Sequence, residues 1–219
     1  MTTAAVILSG CGFLDGSEIH ETVSLLLALS KEGVTTHCFA PDAEFEVIDH
    51  LSGQPDGTRR SILAESARLA RGEVRSLNEC RSADFDALFF PGGFGAAKHL
   101  CDFAQKGPAC EVHSEAERVL REFHDDGKPI GLCCIAPVLA ARVFANDVTI
   151  TLGGQSDASS AAESMGAQHV EAPASQAVVD QKHHVATAPA YMCDAPLHEV
   201  AQGISEMVRQ TLAMIPQNA

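Results

Sequence analysis

Short runs that are apolar at every position alternate along the chain with stretches of helical periodicity. Ala4-Ala5-Val6-Ile7-Leu8 reads as a buried strand, broken by Ser9-Gly10-Cys11-Gly12. A helix is predicted from about Ile19 to Lys31, with Asp15 and Ser17 as candidate caps and Gly33 as its stop. Thr35–Phe39 reads as a second strand ended by Pro41, and Glu46–Leu51 is a candidate for another. Gly53–Gly57 carries turn chemistry, and Arg59–Arg71 reads as a helix or lid. Ala87-Leu88-Phe89-Phe90 is a wholly apolar strand, ended by Pro91-Gly92-Gly93-Phe94-Gly95. Ser114 and Glu117 have capping-box spacing and open a helix to about Asp125. Pro129–Cys133 then reads as a strand and Ala136–Phe144 as a helix. Strands near Val148–Thr151, Val178–Asp180 and Val185–Thr187 precede a last helix to about Met214, with Asp194 as N-cap and Pro196 in its first turn.

Strands apolar on both faces, alternating with helices, predict an α/β fold: a mostly parallel sheet with helices on both faces. In such sheets the site lies beyond the carboxyl ends of the strands. Residues 1–219 read as one domain, without internal repeats, linkers or low-complexity segments.

Composition narrows the function classes. With 46% apolar residues a sizeable core can form. Fifteen Lys and Arg against 29 Asp and Glu give a charge of −14, and no basic run occurs, which argues against nucleic acid and anionic membranes as partners. Met1-Thr2-Thr3-Ala4 lacks the basic start of a signal peptide, and no apolar stretch approaches the roughly 18 residues of a membrane span. The eight cysteines form no Cys-x-x-Cys, and no zinc-ligand spacing occurs. Free thiols in a cytoplasmic protein with no metal are the expectation. Gly10-Cys11-Gly12 is only the first half of a dinucleotide-binding fingerprint, so no nicotinamide is expected.

Three strand ends carry unusual chemistry. Cys134 follows a strand and precedes a helix, the setting of a nucleophile elbow, where unpaired helix N–H groups are expected to lower a thiol pKa. Cys133, on the strand side, reads as core. Gly92 and Gly93 let backbone approach a ligand, and the N–H groups of this loop, with that of Ile135, are candidates to hold an oxyanion. In the first loop and the helix after it, Glu18, His20 and Glu21 compete for the role of proton shuttle.

Read together, Ile7–Gly12, Asp15–Glu21, Phe39-Ala40-Pro41-Asp42, Pro91–Lys98, Cys134-Ile135-Ala136-Pro137 and Pro189-Ala190-Tyr191-Met192 resemble the ElbB group, in the PfpI-like branch of the class I glutamine amidotransferase-like superfamily. The resemblance implies a flavodoxin-like three-layer sandwich, a homodimer, and a nucleophile at Cys134. It implies a cofactor-independent glyoxalase that converts glyoxal, or another small dicarbonyl, to the hydroxy acid. It also places Glu21 beside the nucleophile, with Glu18 as the second choice.

The chain departs from many members of the superfamily in having no His between Cys134 and His169. His169-Val170-Glu171 comes too soon to complete an amidotransferase triad, and His113-Ser114-Glu115 precedes the Cys. A Cys–Glu isomerising pair is therefore expected. The alternatives are a redox- or stress-responsive cysteine protein linked to isoprenoid biosynthesis, and a glutaminase-like subunit.

Overall fold

The computed structural model describes residues 1–145 and 147–216. The chain runs β1 (Thr3–Ile7), α1 (Ile19–Lys31), β2 (Thr35–Ala40), β3 (Glu44–Ile48), β4 (Pro55–Ser61), α2 (Ile62–Leu69), β5 (Val74–Ser76) and β6 (Ala87–Phe90). Then follow α3 (Phe94–Lys98), α4 (Phe103–Lys106), α5 (Ser114–Asp125), β7 (Ile130–Cys133), α6 (Pro137–Phe144), β8 (Thr149–Ile150), α7 (Asp157–Ser164), β9 (Gln168–His169), β10 (Val178–Asp180), β11 (Val185–Ala188) and α8 (Leu197–Ala213). Seven strands form one sheet in the order β10-β11-β7-β6-β1-β2-β5, parallel except for β10. This is the expected flavodoxin-like sandwich.

The all-apolar strands are explained by burial on two sides. Ala5 and Ile7 of β1, Leu88 and Phe90 of β6, and Ile130 and Leu132 of β7 face a core closed by α5, α6 and α7. Ala4, Val6, Ala87, Phe89 and Cys133 face the opposite core, closed by α1, α2 and α8. Successive strand residues point to opposite faces, so a strand with a helix layer on each side is apolar throughout.

Several local expectations are corrected. Gly53 lies in the turn of an antiparallel hairpin, β3–β4, but Pro55–Gly57 and Arg59–Ser61 are strand, pairing Glu44 with Ser61 and Phe45 with Arg60, and the helix expected over Arg59–Arg71 is confined to Ile62–Leu69. Apart from half-buried Ser61, β4 is exposed along its length, so no apolar period marked it as a strand. Glu18, not Asp15 or Ser17, caps α1. Ser17 instead accepts the Ser9 N–H at 2.9 Å, and Asp15 accepts that of Ile48 at 2.8 Å. Ser114 is the first residue of α5, and the His113 side chain caps it in place of a Ser114–Glu117 box. Pro196, not Asp194, stands at the N-cap of α8. The three-residue edge strand β5 and the Ala/Ser-rich α7 went unpredicted, since neither carries a strong apolar period.

Candidate active site

Four neighbouring strands, β11, β7, β6 and β1, end on one edge of the sheet, and their loops converge there. The loop after β6 is stitched to the loop after β1: Phe94 N–H donates to Phe13 O at 2.8 Å, Gly95 N–H to Gly16 O at 2.9 Å, and Glu18 N–H to Gly92 O at 3.0 Å. Gly93, at φ +93°, has no room for a side chain against Gly16 O and Glu18 N.

Cys134 sits directly after β7 with φ +58°, in the left-handed region that non-glycine residues rarely adopt. Its N–H donates to Ala188 O at 2.9 Å, and Ala136 N–H closes the turn on Cys133 O at 3.0 Å. The turn is thus a strained elbow of the kind that presents a nucleophile. Ala190, after the adjacent strand β11, has φ +47°. Two strained residues therefore flank the same point.

Between them lies Glu21 of α1, fully buried. Its Oε2 accepts the Gly92 N–H at 3.0 Å, and its Oε1 accepts the Tyr191 N–H at 3.3 Å. The Cys134 sulfur lies beside the same carboxyl group: a Cβ on Gly92 would meet Glu21 Oε2 at 2.6 Å and Cys134 Sγ at 2.9 Å. Burial pushes the Glu21 pKa up to about 7, and the Glu18 charge adds to the rise. The Cys134 thiol is also raised well above its ordinary value, first by burial and then by the negative charge of Glu21. The backbone N–H groups of Gly93 and Ile135 oppose this rise. The expected lowering of the Cys134 pKa is thus corrected: desolvation and a carboxylate neighbour outweigh the local N–H donors. Around neutral pH the thiol keeps its proton while the carboxyl is near its midpoint, because burial discourages both groups from ionising.

The other candidates fall into distinct places. Glu18 caps α1 by accepting the Glu21 N–H at 2.7 Å, and it lines the pocket over Cys134. His20 is exposed, and its Nδ1 lies 2.9 Å from the Tyr191 hydroxyl, away from the thiol. Gly93 and Ile135 line the pocket with Cys134, whereas Gly92 spends its N–H on Glu21, because it lies alongside that carboxyl. Cys133 is fully buried in the core, yet its sulfur lies 3.9 Å from Glu21 Oε2. His113 and His169 have backbone duties elsewhere, capping α5 and accepting the Leu152 N–H at 3.1 Å. Cys11, from the first loop, faces a different cleft with Asp15, His50 and Arg60. Sequence reasoning did not assign the turn after β11, which brings Tyr191 to Glu21; the residues after a strand beside β7 were the available signal.

Cys134 is 8% exposed and forms part of a pocket of about 450 Å³ lined by Phe13, Glu18, Gly93, Phe94, Ile135, Ala158, Tyr191 and Met192. Among the described residues no cluster of three or more His, Cys, Asp or Glu is placed to hold a metal, and no helix is long and apolar enough to cross a membrane. All eight cysteines are free thiols.

No protein-family model matches the chain. It is 48% identical to the human mitochondrial glutamine amidotransferase-like class 1 domain-containing protein 3 over 221 residues, covering 96% of this chain and 82% of that protein. It is 47% identical to the rat mitochondrial ES1 protein homolog, over 96% of this chain and 83% of that one. The crystal structure of an isoprenoid biosynthesis protein with an amidotransferase-like domain from Ehrlichia chaffeensis superposes with a TM-score of 0.92 at 35% identity, covering 99% of this chain and 100% of the other. The mitochondrial relatives overturn the expectation of a cytoplasmic protein. Free cysteines do not say which compartment holds a protein.

Proposed function

Since the chain belongs to the class 1 glutamine amidotransferase-like family of the ES1 proteins, we propose that it is an ElbB-like, cofactor-independent glyoxalase working through Cys134 and Glu21. The observation that carries this reading is the placement of the Cys134 sulfur beside the buried Glu21 carboxyl, both packed against Gly92 at the strained turn after β7.

Glu21, as carboxylate, takes the thiol proton while the sulfur adds to one aldehyde carbon of the dicarbonyl. The oxyanion that forms is held by the Gly93 and Ile135 N–H groups and receives that proton, giving a hemithioacetal. Glu21 then removes the hydrogen of the attacked carbon as a proton, and the electron pair forms an enediol. Returning the proton to the neighbouring carbon leaves a thioester and an alcohol. Water hydrolyses the thioester, releasing the hydroxy acid and the thiol. One carbon is oxidised as its neighbour is reduced, so no external oxidant enters. A carboxyl raised to about 7 is a stronger base than an ordinary carboxylate, and it needs no histidine.

The test is glycolate formation from glyoxal without added thiol or nicotinamide. Wild type is expected to turn over, Cys134→Ser to be inactive, and Glu21→Gln to fall by about 100-fold or more. Turnover surviving Cys134→Ser removes the mechanism. Survival in Glu21→Gln with loss in Glu18→Gln transfers the base to Glu18.

A further inference from the structure

The pocket over Cys134 is built for more than the smallest dicarbonyl. Its volume of about 450 Å³ lies within the range of roughly 300–1,000 Å³ that small-molecule sites occupy. Its walls are mainly Phe13, Phe94, Ile135, Ala158 and Met192. Phe13 and Phe94 are each 47% exposed, so they offer apolar surface that a bound group would remove from water. Among the described residues that line the pocket, Glu18 is the single charged side chain, and none is Lys, Arg or His. Lys98, one turn beyond Phe94, is held by its bond to Leu14 O and by its place over the Phe94 ring. An anionic substrate would lose hydration beside a carboxylate, and the nearest basic groups already have partners, Lys98 on Leu14 O and His20 on the Tyr191 hydroxyl. A neutral substrate would not, and its anionic product would be expelled by the same carboxylate.

Resting on the reading of Cys134 as the nucleophile, we propose that the substrate class is a neutral α-oxoaldehyde whose keto carbon bears an apolar group, aryl or branched alkyl. The apolar group lies against Phe13, Phe94 and Met192, and the aldehyde faces the sulfur. Addition of the thiol to the aldehyde carbon, transfer of that carbon's hydrogen to the former keto carbon, and thioester hydrolysis by water yield the 2-hydroxy acid. Substrate and water supply every atom of the product, and the thiol is regenerated.

Two measurements separate this proposal from the reading beneath it. In the first, kcat/KM is compared for glyoxal, phenylglyoxal and 4-carboxyphenylglyoxal. Phenylglyoxal is expected to exceed glyoxal by about tenfold or more, the carboxylate to cancel that gain, and Phe94→Ala to shrink the ratio of phenylglyoxal to glyoxal. In the second, the rate of Cys134 alkylation is followed by mass spectrometry with iodoacetamide, N-benzyl iodoacetamide and iodoacetate, each normalised to glutathione. The benzyl reagent is expected to be fastest and iodoacetate slowest, each by about tenfold relative to iodoacetamide. Equal normalised rates for the three reagents, or a preference for iodoacetate, overturn the proposal. The expected alkylation order without turnover of any oxoaldehyde upholds the pocket's selectivity and removes the glyoxalase reading instead.

Discussion

The backbone N–H of Tyr191 donates to Oε1 of Glu21 across 3.3 Å, joining the turn after the last strand of the sheet to the first helix. Gly92 N–H holds the other carboxyl oxygen at 3.0 Å. The carboxyl group therefore has a fixed orientation before any ligand arrives, with the Cys134 sulfur beside it and Cys133 Sγ 3.9 Å from Oε2.

Glu21→Gln is expected to move two properties in opposite directions. Turnover falls, because the base is gone. Alkylation of Cys134 by iodoacetamide near neutral pH becomes faster, because a negative charge that raises the thiol pKa has been removed. Parallel rate measurements on the two proteins check this; slower alkylation in the variant would contradict the assigned electrostatics.

The raised Glu21 pKa carries a stability consequence. A carboxyl group that titrates near 4.5 when unfolded and near 7 when folded binds more protons in the native state between those values. Its contribution is fully present below about pH 4.5 and is lost as pH rises through about 7. Wild type is expected to lose on the order of 3 kcal/mol relative to Glu21→Gln across that window. Urea melts at several pH values measure the difference, and a flat difference would refute it.

Gly92→Ala tests the close packing of the site. A Cβ there would overlap Cys134 Cβ and come within 2.6 Å of Glu21 Oε2. Overpacking of this kind costs about 1–3 kcal/mol, and here it also displaces the two reacting groups. Loss of turnover in a variant that still folds, seen by circular dichroism, is the expected result.

The adjacent thiols are expected to separate cleanly. Cys133→Ala removes a small buried side chain, costing about 1 kcal/mol, and leaves turnover within about tenfold of wild type. Cys134→Ala abolishes turnover and costs little stability, since it also relieves a thiol buried beside a carboxyl group. Thermal melts and product assays on both variants distinguish them; equal loss of activity would implicate Cys133 in the chemistry.

The central strands and the larger helices were legible because their signals are local. Ala87–Phe90 is apolar at every position because helices cover both of its faces, and α1 shows its period between a polar loop and Gly33. The β3–β4 hairpin was legible in part. Glu44-Phe45-Glu46-Val47 alternates, with Phe45 and Val47 buried, and the candidate strand Glu46–Leu51 overlaps it, whereas the exposed β4 carries no apolar period. Cap assignments failed where several polar residues competed: Asp15, Ser17 and Glu18 all precede α1, and bonds to Ile48 and Ser9 claim the first two.

By itself the sequence determined that Cys134 ends a buried strand at a sharp turn, that glycines end the strand beside it, and that acids open the first helix. These follow from patterns spanning a few residues. Resemblance favoured Glu21 over Glu18, but only the tertiary structure put its carboxyl beside the Cys134 sulfur with Glu18 at the α1 cap, and only it decided that the thiol pKa is raised and not lowered. Both depend on burial and on distances between groups far apart in the chain. Desolvation and Coulomb interaction are set by the space around a group, and no local pattern encodes it.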